Sequence, residues 1–229
     1  LIWRGRAQLS AIALSAPAGG WLLVGLGAVG WLVLFNAGLQ VPAMLALLLL
    51  VLATIWAAGG WRLARWAAFP ILYLYFALPA WDFLDLPLQS LTTNVSLWLV
   101  RQLGIPATTD GHVIHIPEGW FEIAVACNGL HLFVVALAIA AVHGEIDDDS
   151  LGSRLVLMGI AGVLAMATNW LRVFSVIVAG HATNMQHFLV RVDHYYFGWF
   201  LFAFTLIFYV YLSSRIPRRK STRSSEAPA

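Results

Sequence analysis

Cys127 is the single cysteine among 229 residues. It stands in Ala126-Cys127-Asn128-Gly129-Leu130 and has no partner for an intramolecular disulfide. Such a thiol is either a small buried hydrophobe or a nucleophile. Three features favour the nucleophile. It opens an apolar run read as helical, and a helix N-terminus favours thiolate. The basic residues, placed below, put it on the oxidising side of a membrane, where an exposed unpaired thiol is a liability. Gly129, two residues on, permits a tight bend and close approach of a substrate backbone.

Two further residues could complete a reaction. Asn169-Trp170-Leu171-Arg172 puts Asn169 and Arg172 three apart on one helical face inside an apolar run. A charge within a span is costly and usually faces the protein interior or a wet cavity. Snorkelling to the headgroups is the bland alternative, and Asn169 one turn deeper argues against it. His194 opens the last apolar run, in Asp193-His194-Tyr195; a lone His at an interface carries little weight by itself. Together the three types make chemical sense. A thiolate attacks a carbonyl, a His activates the thiol or protonates the leaving amine, and an Arg stabilises the oxyanion or positions a carboxylate. The thioacyl intermediate then passes to water or to another amine. His143, Glu145 and Asp147 have no established metal-ligand spacing and read as a solvated loop. No metal and no cofactor is expected.

The elements that must hold these residues are set by composition. The chain is 61% hydrophobic and 10% charged, with mean hydropathy +0.81. Soluble chains carry roughly 45–50% apolar and about 25% charged residues, so a soluble domain is excluded, and nucleic acid is not an expected partner. The apolar runs are long and continuous, not alternating, which favours helices over a barrel. The expected fold is an all-α polytopic membrane protein. It has about six transmembrane helices, over residues 11–35, 41–58, 66–80, 124–142, 155–179 and 195–212. Residues 90–103, with Arg101, read as an amphipathic helix lying in the interface. Residues 112–116 alternate like a strand, and 121–126 read as its return, giving a short outward-facing β-like hairpin after the Asp110-Gly111 turn signal. Residues 1–214 form a single transmembrane catalytic domain, and 215–229 a basic, disordered cytoplasmic tail.

Orientation follows from Lys and Arg. Six spans with the basic tail inside put Arg4, Arg6, Arg62, Arg65, Arg154, Arg215, Arg218, Arg219, Lys220 and Arg223 in the cytoplasm. Only Arg101 and Arg191 fall clearly outside. Both termini are then cytoplasmic. Cys127, Arg172 and His194 share the outer side, at the ends of three consecutive helices.

At these residues the chain resembles the exosortase/archaeosortase family of membrane cysteine proteases and transpeptidases. The likeness rests on Ala126-Cys127-Asn128-Gly129-Leu130, on Asn169-Trp170-Leu171-Arg172, and on His194 with Gly198 a helical turn later. It runs from about residue 66 to 211. The resemblance implies that Cys127, Arg172 and His194 are catalytic; Asn169, Asn128, Gly129 and Glu122 are expected from their own positions to support them. Asn128 departs from the Ser common in that pattern. The resemblance further implies that the substrate is a secreted protein with a C-terminal sorting signal of the PEP-CTERM type. Such a signal is a short Pro-Glu-Pro-like motif, a membrane span and a basic tail. It also implies a bacterial inner-membrane setting, an active site facing the periplasm, a frequent association with exopolysaccharide production, and an amine or polysaccharide-linked acceptor. Two other classes fit the residues alone. A transporter or polysaccharide-assembly component would use Arg172 and Asn169 to line a pathway, with Cys127 as packing. A membrane acyltransferase would use the same thiol on a lipid. Glu122 has three open roles: bracing the β-like segment, orienting His194, or marking the water boundary.

Overall fold

The computed structural model describes residues 15–187 and 194–220, without the side chains of 194 and 195. The described chain is mostly helical and packs as two compact units, Leu1–Ala80 and Trp81–Ala229.

In the first unit, helix α1 (Gly20–Asn36) turns at Gly38, φ +72°, into α2 (Gln40–Tyr73). The two run antiparallel, with Gly20 against Ala57 and Gly27 against Leu50. A Cβ on Gly20 would lie 2.8 Å from Ala57, so small residues set the helix spacing, as is usual where lipid supplies no hydrophobic drive. Within α2, Gly60 has φ 83° and ψ −177°, a conformation essentially restricted to glycine. The backbone therefore breaks where the sequence separates 41–58 from 66–80. Helical bonding resumes at once and no loop intervenes, so Gln40–Ala77 is one long apolar element.

The second unit begins with α3 (Asp85–Gln102), followed by an antiparallel sheet of β1 (Thr108–Asp110), β2 (Val113–Ile116) and β3 (Gly119–Glu122), in that spatial order. A single 3₁₀ turn, Val125–Cys127, leads into α4 (Leu130–Ile146). Helix α5 (Leu151–Ala182) returns beside it, and α6 (His194–Arg215) closes the bundle. Small residues again allow close packing: Ala136, Ala140, Ala161 and Ala165 meet Leu132, Phe202 and Tyr209 in one buried cluster. Thr168 and Thr205 hydroxyls are 2.5 Å apart between α5 and α6. A second cluster joins α3, the sheet and α5 through Leu97, Val100, Ile114, Ile116, Ile123 and Ile177, with Cys127 packed against it.

Among the described residues three helices are long and apolar enough to cross a membrane: Gln40–Ala77, Leu151–Ala182 and Tyr196–Arg215. Gly20–Asn36 and Leu130–Ile146 are apolar but shorter. This differs from the expected six, because two of the expected spans fall in one element and two are short helices. The β-like hairpin is a three-stranded sheet; β1 was not expected.

Helix α3 forms where an interfacial amphipathic helix was expected, but its sidedness is different. Its polar residues Gln89, Thr92, Thr93 and Ser96 are buried, whereas Leu86, Leu91 and Trp98 are exposed. The polar stripe turns to the protein, not to water.

Residues 216–220, read from the sequence as the start of a free tail, are held. Arg218 Nη1 donates to Asp147 Oδ2 at 2.7 Å and to Asp149 Oδ2 at 2.9 Å. Lys220 Nζ donates to the Asp147 carbonyl at 2.6 Å and to Asp149 Oδ1 at 3.2 Å. The Ser150 N–H donates to the Arg219 carbonyl at 2.8 Å, and Glu145 pairs with Arg154. Asp149 is buried, and a buried carboxylate needs such partners. The acidic loop and the basic segment thus neutralise one another at the end of the bundle opposite Cys127.

Candidate active site

Cys127 is half-buried at the end of its 3₁₀ turn. It does not begin α4: the helix starts three residues later, at Leu130, and Gly129 is its N-cap. Between them the chain is tied on every side. The Cys127 N–H donates to the Ala124 carbonyl at 2.8 Å, closing the turn. Asn128 is fully buried. Its Oδ1 accepts from the Leu130 N–H at 2.8 Å, closing an Asx turn onto the first residue of the helix, and its Nδ2 donates to Asp85 Oδ1 at 2.6 Å. The Asn128 carbonyl accepts from Thr92 Oγ1 at 3.0 Å. Upstream, Gln89 Nε2 donates to the Ile123 carbonyl at 2.6 Å. The inward stripe of α3 therefore holds both flanks of the thiol.

Gly129 has φ +93°, so a side chain there is strained. The sequence reading gave this glycine to a substrate's approach; the structure gives it to Asn169. A Cβ at 129 would stand 2.8 Å from Asn169 Nδ2. With that space open, Asn169 Nδ2 donates to the Cys127 carbonyl at 3.0 Å. Asn169 is fully buried, and its Oδ1 has no partner among the described residues.

One turn further along α5, Arg172 is 8% exposed. No ion pair among the described residues includes it. A buried guanidinium without a counter-charge is costly, and one facing a cavity can take an anion or a developing negative charge. Its side chain lies across Gly198 of α6; a Cβ there would be 2.7 Å from Arg172 Cδ and 2.9 Å from Nη1. The glycine, noted in the sequence only beside His194, makes room for the arginine.

Cys127 and Arg172 line one cavity of about 290 Å³, together with Glu122, Trp120, Val176 and Met185 among others. Glu122 ends β3, is exposed, and enters no ion pair among the described residues. It lines the cavity wall and does not brace the sheet through a charge. His194 is the first residue of α6, one turn before Gly198 on the same helical face; its side chain lies outside the described residues. Of the seven residues expected at the site, Cys127, Arg172 and Glu122 share the cavity, Asn128, Gly129 and Asn169 shape the cysteine loop, and the His194 side chain lies outside the described residues.

Sequence reasoning missed several residues. Asp85, Gln89 and Thr92 shape the cysteine loop, and their helical spacing was the available signal. Trp120, Phe121 and Met185 line the cavity without any motif. Met185 has φ +65° in the turn after α5, where its N–H donates to the Gly180 carbonyl at 2.8 Å. Nearby, His181 Nδ1 and Glu118 Oε2 are 2.7 Å apart, tying the β2–β3 turn to the end of α5. That contact holds the Glu118 carboxyl below the usual carboxylate range.

The family model for transmembrane exosortases matches residues 1–211. No curated protein and no solved structure matches the chain. The match covers both compact units and every residue of the cavity, and the chain belongs to the transmembrane exosortase family.

Proposed function

We propose that the chain is a membrane-embedded cysteine protease/transpeptidase that removes the C-terminal sorting signal of secreted proteins. The observation that carries this reading is the cavity shared by the one thiol, Cys127, and the buried Arg172, which has no ion-pair partner among the described residues.

The thiolate Sγ attacks the scissile carbonyl, and Arg172 stabilises the oxyanion or holds an acidic side chain of the signal. The C–N bond breaks as His194 delivers a proton to the leaving amine. The acyl group is then held as a thioester on Cys127. Attack by water regenerates the thiol and yields a shortened acid; attack by an acceptor amine yields a new amide. The Pro-Glu-Pro-like motif, the inner-membrane location, the periplasmic site and cytoplasmic termini all belong to this proposal, as does residues 1–214 acting as one catalytic domain. Family membership supports a sorting-signal substrate. The placement of Arg154, Arg218, Arg219 and Lys220 at the bundle end opposite Cys127 supports the orientation.

The test is a secreted reporter ending in a Pro-Glu-Pro-type signal, expressed with wild-type, Cys127→Ala, Arg172→Ala or His194→Ala enzyme and blotted for tail removal. Wild type shortens the reporter, and each variant reaches the membrane but leaves it long. Normal shortening by Cys127→Ala rejects the reading.

A further inference from the structure

Four consecutive residues of β3 and its continuation, Trp120, Phe121, Glu122 and Ile123, all line the cavity that holds Cys127. Strand side chains alternate between the two faces of a sheet. A cavity lying on one face touches every second residue. One that touches four in succession lies along the strand's edge. In the sheet order β1-β2-β3 no strand among the described residues pairs with that edge.

The hydrogen-bond phase agrees. The Ile123 N–H donates to the His112 carbonyl at 2.9 Å. Phe121 pairs with Ile114 and Gly119 with Ile116 in the same register. In an antiparallel ladder bonded pairs alternate with unbonded ones. The residues between, Trp120 and Glu122, therefore turn their N–H and C=O groups away from β2. No backbone bond among the described residues takes them up on that side. The facing wall is α5, through Arg172, Val173, Val176 and Ile177. The open edge thus forms one side of a trough. The thiol and the Arg172 guanidinium, without an ion-pair partner among the described residues, are both in it.

We infer that the substrate binds as an added β-strand on the free edge of β3, an extended peptide whose main chain bonds to Trp120 and Glu122 and whose acidic side chain meets Arg172. This rests on the proposed function and specifies how that site takes its substrate. An extended peptide satisfies the open N–H and C=O groups, and its carboxylate supplies a counter-charge that no described residue gives Arg172. Main-chain pairing gives affinity, and the pockets beside the strand give selectivity. The apolar walls from Trp120 and Met185 suit small or apolar neighbours of the acidic residue.

Proline removes the strand N–H and is tolerated only on a free edge. Trp120→Pro and Glu122→Pro each delete an outward N–H while leaving the β2 ladder intact; Phe121→Pro breaks that ladder and serves as the misfolding control. Processing of the Pro-Glu-Pro reporter is measured beside membrane abundance and labelling of Cys127 by a small maleimide. Glu122→Pro is expected to slow processing at least ten-fold more than Glu122→Ala, which keeps its N–H, with abundance and labelling retained. Processing by both edge-proline variants at the rate of their alanine counterparts overturns the strand-addition model alone. Shortening of the reporter by Cys127→Ala sinks the proposed function instead. Where the proline variants lose abundance, purified wild-type enzyme is given synthetic motif peptides N-methylated at one non-proline residue at a time, across the motif and its flanks. Losses in kcat/KM at every second position support an added strand. Equal losses at all positions, or none, reject it.

Discussion

The thiol's setting is built by side chains that do no chemistry themselves. Asn128 does two jobs at once, holding the first N–H of α4 through Oδ1 and binding Asp85 through Nδ2. Asn128→Ser keeps an acceptor for that N–H but withdraws the donor from Asp85. We expect reporter processing to persist and stability to fall by about 1 kcal/mol, the net worth of one such bond; a thermal melt of the detergent-solubilised protein measures it. Gly198 is the complementary case. Gly198→Ala places a methyl where the Arg172 side chain lies. The arginine is flexible, so the fold survives while the guanidinium moves. The expected result is a fall in processing of ten-fold or more with unchanged membrane abundance; full activity would show that Arg172 is not held in its working position by α6. The cysteine and arginine were legible because each residue type is out of place in an apolar run. The purpose of Gly129 was not. A glycine two residues after a cysteine reads as room for substrate, and only the position of Asn169 shows that the room is already used.

At the level of elements, α3 carries the lesson. Its polar and apolar residues follow a helical period, so the helix itself could be read from sequence. Which face meets water cannot be read that way, because a polar stripe is equally at home in solvent or against polar backbone. Here the stripe meets the carbonyls of Ile123 and Asn128, and an irregular segment buried in protein needs such donors. Gln89→Leu leaves the Ile123 carbonyl without its donor, a loss of about 1–3 kcal/mol. The melting temperature should drop, and amides 123–127 should exchange with deuterium faster than those of α4. Equal exchange in the two segments would mean that α3 does not secure the loop. The β1 strand escaped notice because three residues, Thr108–Asp110, are too short for alternation to register. Gly60 hides a different ambiguity, since Gly-Gly marks a break without saying whether the chain turns or runs on.

Across the second unit, the candidate site and the charged clasp occupy opposite ends of the same three helices. Cys127, Arg172 and the start of α6 lie at one end; Asp147, Asp149, Arg218 and Lys220 clasp at the other. The charge pattern made this polarity legible in the sequence, whereas the clasp itself joins segments some 70 residues apart and has no local signature. Burial raises the Asp147 carboxyl, but the hydrogen bond and charge of Arg218, with His143 and Lys220 adding theirs, hold it below its ordinary range. The sign follows: this stabilisation is complete above the unfolded carboxyl's pKa and is lost as pH falls through the lower folded value. A nitroxide at position 219 should therefore stay immobile from neutral pH downward and gain mobility only below about pH 4. Asp147→Asn should free it at neutral pH; an immobile label in that variant would assign the clasp to Asp149 alone.

The most direct measurement is to look for the acyl group on the thiol. Enzyme purified after co-expression with the Pro-Glu-Pro reporter is digested and its Cys127 peptide weighed by mass spectrometry, before and after hydroxylamine. A thioester to the residue preceding the cleavage point should appear on Cys127, vanish with hydroxylamine, and be absent from Cys127→Ala. Reporter shortening with Cys127 unmodified throughout, and undiminished in Cys127→Ala, would contradict a covalent role for this cysteine.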